Sequence, residues 1–405
     1  MPRVDIAIIG GGLVGASLAV ALQAEARQRG WRICLIEPFT PGNGYQPSYD
    51  ARSTALSFGT QQIYQRLGLW QQISQRAEPI KQIHVSDRGR FAAARLSAEE
   101  EGVPALGYVV ENAWIGECLW QALDQQVVSW RSPAQVTRMQ ALADGYRLSL
   151  DDGSELECSL AILAEGGRSG LREQLGIAVS NTPYGQSALI ANVSPQDAHN
   201  GLAFERFTEE GPMAMLPLAD NRCALVWTRA TQEAERLAAL DDAAFLAELQ
   251  QAFGYRLGSL RQVGARHLYP LALTAAKEQV RQHLVVLGNA AHSLHPVAGQ
   301  GFNLALRGVA ALLATLTETP RHGAELGDPV FLQQFCQSRQ MDQTRTIHFS
   351  DKLVLTFGSD NLLLSALRDL GLVGLEAVPG LKARFADMAM GLSGRKALLE
   401  TGHGH

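Results

Sequence analysis

The chain is short of cysteine, of charge and of long apolar runs, and each shortage removes a class of protein. Its 405 residues include five cysteines, at positions 34, 118, 158, 223 and 336, scattered and with no Cys-x-x-Cys pair. Disulfide frameworks, zinc ribbons and dithiol redox centres need closer spacing, so buried free thiols in a reducing compartment are expected. No stretch reaches the ~18 uninterrupted apolar residues of a membrane-spanning helix. At the N-terminus, Asp5 and a glycine turn interrupt what would be the apolar core of a secretory signal. The expected setting is soluble or, at most, attached to a membrane surface. Charged residues make up 19% and the net charge is −5, which gives no reason to expect a nucleic acid partner. No internal repeat or low-complexity tract appears. Hydrophobic residues at 46% belong to a globular protein, and the length suits two domains, discontinuous in sequence.

What is present begins at the first residues. Val4 to Ile9 is an apolar run that reads as a buried strand, and Gly10-Gly11-Gly12-Leu13-Val14-Gly15 follows, opening an Ala/Gln-rich helix to about Arg29. Gly10, Gly12 and Gly15 occupy the three places of a Gly-x-Gly-x-x-Gly dinucleotide fingerprint. The first allows the tight turn, the second lets backbone N–H groups approach a pyrophosphate, and the third packs helix on strand. The positive helix N-terminus then faces the phosphates. An ordinary strand–turn–helix carries similar glycines, and context separates the two. A second apolar strand, Arg32 to Ile36, ends in Glu37, roughly 20 residues on, where an acid meets ribose hydroxyls. Glu37 would repel a 2′-phosphate, so FAD or NAD is expected here rather than NADP.

Further along, Asp50-Ala51-Arg52 to Ser57 reads as a loop before a helix at 61–67, with Arg52 placed to reach a phosphate or a flavin edge. Ile80 to Ser86 alternates as a strand and 91–96 returns beside it. Glu99-Glu100-Glu101 reads as a solvated turn, and Trp114 to Leu123 has helical periodicity. Short strands follow at 127–130, 134–139 and 146–150, and an Asp151-Asp152-Gly153-Ser154 turn starts a hairpin. The strand Leu160 to Ala164 runs into Glu165-Gly166-Gly167-Arg168, a second strand-to-glycine turn. Residues 181–270 alternate short strands with turns, broken by one helix, Asp241 to Phe253, and read as an inserted antiparallel sheet.

Leu284 to Leu287 restores a buried strand and feeds Gly288-Asn289-Ala290-Ala291-His292, then His295-Pro296 and Gly299-Gln300-Gly301-Phe302-Asn303. A helix starts near Phe302 and Asn303, offering unpaired N–H groups to an anion. His292 and His295 stand three apart on a loop without a third ligand, which is poor support for a metal site, and none is expected. From Asp328 the chain reads as helical. The expected fold is α/β: a Rossmann-like FAD-binding domain (1–75, 101–180 and 271–325), an inserted antiparallel-sheet substrate domain (76–100 and 181–270) and a helical C-terminal region (326–405).

Three features in this order resemble the flavoprotein aromatic hydroxylases with the p-hydroxybenzoate hydroxylase fold: the fingerprint, the strand–acid–glycine turn, and Gly288-Asn-Ala-Ala-His with its Pro–Gly loop. Ala203-Phe204-Glu205-Arg206-Phe207-Thr208, Gly211 to Pro217 and Asp50-Ala51-Arg52 resemble the ubiquinone-biosynthesis branch, in particular its hydroxylases of 2-polyprenyl-6-methoxyphenol. The resemblance implies that Gly10, Gly12, Gly15 and Glu37 hold the ADP half of FAD and that Arg52 lies along the flavin side. It also places Glu165, Gly166, Arg172, Gly288, Asn289, Gly299, Gly301, Phe302 and Asn303 on the cofactor. Two positions depart from the family: Glu165 stands where Asp is usual, and Asn289 where Asp is usual. Asn still accepts a hydrogen bond through its carbonyl, so FAD binding is expected to survive.

The chemistry implied is ring hydroxylation of a polyprenyl methoxyphenol with NADPH and O2, through a flavin C4a-hydroperoxide that the cofactor carries. Pro296, Gly299, Gln300 and Gly301 then form the catalytic loop: N–H groups beyond Gly301 stabilise anionic reduced flavin, and a backbone carbonyl at Pro296 orients the peroxide. A water-excluding lid is expected from the sheet around Met213 to Pro217. Tyr184, Tyr269 and His295 are candidates for the group that polarises the phenol. With a single fingerprint, NADPH is expected to bind transiently rather than in its own domain. The apolar tail suggests contact of Leu362 to Lys396 with a membrane or a partner enzyme of the pathway, or packing of that segment on the core, and localisation in the cytoplasm or at the inner membrane face. Homo-oligomers remain open. So do another aromatic substrate or ring position, a flavin oxidase or dehydrogenase, and an FAD-bound scaffold subunit.

Overall fold

The computed structural model describes residues 2–39, 53–87, 93–167, 170–208, 210–294, 299–318 and 326–357, together with 382, 386–387 and 389–392. Among these residues the chain forms three sheets and the helices that cover them, a mixed α/β architecture.

The first sheet is built around the opening apolar run. Arg3–Ile9 lies between Ile33–Ile36 and Glu155–Leu163, parallel to both, and the order continues outward to Leu284–Val286 on one side and Val128–Arg131 on the other. Strands covered on both faces must be apolar throughout rather than alternating, and Ile6, Ile8, Leu160 and Ile162 are fully buried. Leu13–Arg29 packs on one face, with Leu18 and Leu22 in a core shared with Leu306 and Leu312 of a late helix, Gln300–Glu318. The hairpin expected after the Asp151–Ser154 turn is present, and its second strand is continuous with the strand expected from Leu160. It runs unbroken from Glu155 to Leu163, pairing with Gly145–Leu150 at its start and with Arg3–Ile9 along its length.

The second sheet is larger and mostly antiparallel. It contains Val179–Pro195, Leu202–Thr208, Gly211–Leu218, Arg222–Ala230, Leu260–Val263 and His267–Ala276. Gln82–Asp87 joins it parallel to Leu202–Thr208, and Ala93–Ser97 pairs with Gln82–Asp87. Its outer face is covered by Asp242–Phe253, whose Asp241 accepts a hydrogen bond from the Ala244 N–H at 2.8 Å, a side-chain N-cap. Phe245, Leu249 and Phe253 of that helix pack on Leu189, Met213, Leu225 and Trp227.

Between the two lies a three-stranded sheet of Ser53–Ser57, Gly107–Glu111 and Glu78–Ile80. It corrects two expectations. Residues 53–57 are a strand rather than a loop, hydrogen-bonded to Gly107–Glu111. The strand expected over 80–86 is divided at Lys81, because Glu78–Ile80 completes this small sheet while Gln82–Asp87 crosses to the large one. A buried ion pair fastens the small sheet to the large one: Arg222 donates to Glu111 at 2.9 Å, with both side chains under a tenth exposed.

The helix Pro329–Phe357 packs against Gln300–Glu318, where Asp342 pairs with both Arg307 and Arg339. Most of the segment 362–396 lies outside the described residues. Of the part described, Ala386 and Met390 are buried among Ile80, Leu96, Leu106 and Ala203, and Lys382 pairs with Glu100 at 2.8 Å. That stretch therefore packs on the core. Among the described residues no helix is long and apolar enough to cross a membrane.

Candidate functional site

One cavity, of about 860 Å³, runs between the parallel sheet and the large antiparallel sheet. At the parallel sheet it is lined by Gly10, Gly12, Leu13, Val14, Glu37, Ala164, Glu165, Gly166 and Asn289. These residues follow the carboxyl ends of adjacent parallel strands on either side of the first strand, where the chain order reverses. Open α/β sheets bind ligands in that crevice.

The fingerprint glycines separate into two roles. Gly10 has φ +104°, and a Cβ there would stand 2.6 Å from the Glu165 Cα; a Cβ on Gly15 would stand 1.8 Å from the Gly10 carbonyl oxygen. Both keep strand, turn and helix in contact, and Gly15 does not line the cavity. Gly12 differs: nothing lies within 4 Å of the place a Cβ would take. It opens the first turn of Leu13–Arg29, which has neither a side-chain cap nor an acidic residue. Helix N–H groups without a cap, next to open space, are an anion site. Glu37 sits beside it, accepting from the Gly11 N–H at 2.6 Å and from the Phe39 N–H at 3.2 Å. This donor set and open cradle fit a dinucleotide.

A second helix start converges on the same space. Gln300–Glu318 has no acidic residue in its first turn, and Gly299, Gly301, Phe302 and Asn303 line the cavity. Asn303 is fully buried and spends its whole amide on the backbone. It accepts from the Ser57 N–H at 2.9 Å and donates to the carbonyls of Ala55 at 2.9 Å and Gly299 at 2.8 Å. It thereby braces the helix start against the small sheet. Gln300 is buried and does not line the cavity.

Arg172 was expected on the cofactor and is found elsewhere. Its guanidinium donates to the Ala290 carbonyl at 2.8 Å and the Gly167 carbonyl at 2.9 Å, tying the two glycine turns together from behind the cavity wall. Gly288 likewise faces Val14, where a Cβ would stand 3.2 Å from its side chain, and not the cavity. Arg52, Pro296 and His295 lie outside the described residues. Of the candidates for polarising a phenol, Tyr184 donates to Asp351 at 2.9 Å and neither it nor Tyr269 lines the cavity. Burial and the Asp351 carboxylate push the Tyr184 hydroxyl further from ionising. His292 is hydrogen-bonded to Gln279 at 3.1 Å, and burial, with Arg339 nearby, lowers it to about 4, so it stays neutral. The expected lid is a correction too. Gly211–Leu218 is hydrogen-bonded to strands on both sides, so Ala214 and Leu216 form a fixed wall of the cavity.

That wall is one face of the large sheet. Val85, Glu205, Ala214, Val226 and Ile190 are successive cross-strand partners and all line the cavity, flanked by Ile83, Ala203, Leu216 and Phe207. The sequence pattern missed Glu205: within Leu202–Thr208 it holds an inward position of an alternating strand, where an apolar residue is the rule. Burial alone pushes its carboxyl up to about 8.

The chain matches the FAD binding domain family over residues 3–328. It is 35% identical to the ubiquinone hydroxylase UbiL of Rhodospirillum rubrum over 96% of this chain and 89% of that protein. With the 3-demethoxyubiquinol 3-hydroxylase of Escherichia coli it shares 31% identity over 96% of this chain and 98% of that one. In fold it is similar to the p-nitrophenol 4-monooxygenase PnpA of Pseudomonas putida, with a TM-score of 0.78 at 16% identity over 98% of this chain and all of the other. It is also similar to Klebsiella pneumoniae HpxO complexed with FAD and uric acid, with a TM-score of 0.73 at 18% identity over 95% of this chain and 96% of the other. The chain belongs to the FAD binding domain family and is an FAD-dependent monooxygenase.

Proposed function

We propose that the chain hydroxylates the aromatic ring of a prenylated methoxyphenol in ubiquinone biosynthesis, with NADPH and O2 as co-substrates. The observation that carries this reading is the continuity of the cavity, from an uncapped helix N-terminus beside Glu37 to an apolar sheet face. A polar dinucleotide fits the first end and an apolar aromatic the second. The two relatives above, named as ubiquinone and demethoxyubiquinol hydroxylases, support the choice of pathway.

In this reading Gly12, Glu37, Glu165, Gly166 and Asn289 hold FAD, while Gly10 and Gly15 shape the turn that makes room for it. Bound FAD supplies the activation of O2 and the transfer of one oxygen atom to the ring. The chain's own residues bind, orient and exclude water. The Gln300–Glu318 N-terminus presents N–H groups to negative charge at Gly299 and Gly301. Ile83, Val85, Leu216 and Val226 keep the reacting end dry. The division into an FAD-binding and a substrate domain is part of the same proposal: the parallel sheet serves the cofactor and the large sheet serves the ring. Arg52 and Pro296 keep the roles that the family resemblance gives them.

The test is to purify the protein, record its flavin spectrum and measure NADPH oxidation with and without a short-chain prenylated methoxyphenol. Bound flavin with substrate-stimulated oxidation is expected. Flavin with NADPH consumption indifferent to the phenol contradicts the proposal and favours an FAD-bound scaffold.

A further inference from the structure

Glu205 is the one acidic side chain in the apolar sheet wall. Its cross-strand partners are Val85 and Ala214, its same-face neighbours along the strand are Ala203 and Phe207, and it lines the cavity. Among the described residues no side chain or backbone group hydrogen-bonds its carboxyl and no cation pairs with it. The other titratable side chains lining the cavity are Glu37 and Glu165, both following strands of the parallel sheet. No Lys, Arg or His lines it among the described residues. A carboxyl left without a partner in an apolar wall either carries a strain on the fold or meets a polar ligand there.

We propose that Glu205, as the neutral carboxylic acid, binds the substituted edge of the aromatic substrate, donating to one ring oxygen and accepting from a neighbouring ring hydroxyl. A protonated carboxyl presents one donor and one acceptor side by side. That pair complements a phenol hydroxyl with an ether oxygen on the adjacent carbon, as in a methoxyphenol. The rest of the wall, Ile83, Val85, Ala214, Leu216 and Val226, offers contacts only to the ring and to an apolar substituent. Glu205 therefore selects oxygenated rings over plain prenylated ones and fixes which ring edge faces the wall. The elevation of its carboxyl to about 8 by burial keeps the donor in place at neutral pH. The inference rests on the function proposed above and names the residue that recognises the substrate.

The experiment is a ligand titration of the FAD-loaded protein, followed by the perturbation of flavin absorbance, without NADPH. The ligands are a short-chain 2-prenyl-6-methoxyphenol and the matching prenylbenzene that lacks both oxygens. Glu205→Leu is expected to retain FAD and to lose roughly 10- to 100-fold in affinity for the methoxyphenol, the cost of leaving a buried hydrogen-bonding group unmatched. Its affinity for the prenylbenzene should be equal or higher. Glu205→Gln keeps a donor and an acceptor without a proton to lose. It should bind the methoxyphenol within a few-fold of wild type, with an affinity flat from pH 6 to 9, while wild-type affinity falls as pH rises through about 8. Equal methoxyphenol affinity in wild type and Glu205→Leu overturns the role of Glu205 and leaves the proposed function standing. Failure of the wild type to bind any phenol overturns both.

Discussion

The two ends of the cavity are built by different means. At the parallel sheet the wall is mostly backbone: a glycine turn, an uncapped helix start, and a carboxylate held by the Gly11 N–H. At the antiparallel sheet it is side chains, a row of Val85, Glu205, Ala214, Val226 and Ile190 across five strands. Backbone sites restrict residue type severely, since a single Cβ on Gly10 or Gly15 collides with the neighbouring chain. A side-chain wall accepts any apolar residue of suitable size, so it is free to change with the ligand. On the proposed function, the cofactor end is thus rigid in sequence and the substrate end adaptable. Substitutions at the two ends should separate folding, FAD binding and substrate choice.

The largest effect belongs to Gly15→Ala. A methyl 1.8 Å from the Gly10 carbonyl forces helix and strand apart, so little soluble, flavin-containing protein should be recovered on expression. Gly12→Ala sharpens the contrast three residues away. With nothing within 4 Å, the methyl costs the fold little but fills space beside the helix N-terminus. Its melting midpoint without cofactor should match wild type while FAD affinity falls, measured by equilibrium dialysis. Next is the joint between the two ends. Glu111→Ala removes the 2.9 Å partner of the buried Arg222, leaving it a 3.8 Å contact with the exposed Asp220, and should lower stability by about 3 kcal/mol in urea unfolding. Asn303→Ala removes two hydrogen bonds from the Gln300–Glu318 helix to the small sheet and one to the Gly299 carbonyl, and should cost roughly 2–3 kcal/mol.

At the adaptable end the expected effect depends on pH. In the folded chain Glu205 loses its proton near pH 8, against an ordinary value of 4.5. Between those values the folded state holds a proton that the unfolded state has released, so stability falls as pH rises across that window. Glu205→Leu removes this loss. Its melting midpoint should gain on wild type steadily from about pH 4.5 to about pH 8 and no further above that. A gap independent of pH would show that Glu205 ionises normally in the fold.

The same contrast explains what was legible in the sequence. Gly10, Gly12, Glu37, the Glu165–Gly166 turn and the Gly299–Asn303 stretch could be read because each answers a backbone demand that few residues meet. Asp241 could be read as a helix cap for a similar reason. Ser53–Ser57 could not: its strand is made by pairing with Gly107–Glu111, fifty residues on, and nothing local announces it. The break at Lys81 was hidden because alternation looks identical in two strands of different sheets and in one continuous strand. The family likeness assigned Arg172 to the cofactor, yet its guanidinium serves the carbonyls of Gly167 and Ala290. Glu205 left one signal, a charged residue at an inward position of an alternating strand. It was lost among the residues quoted for a family likeness.

On the proposed function, the cavity brings FAD and an aromatic ring together for oxygen insertion. The most direct test is the mass of the product formed from a short-chain prenylated methoxyphenol under isotopically heavy oxygen gas, with NADPH supplied. The expected product is heavier than the substrate by one heavy oxygen atom, with NADPH consumed in step. A product of unchanged oxygen content, or one whose new oxygen comes from water, would contradict it.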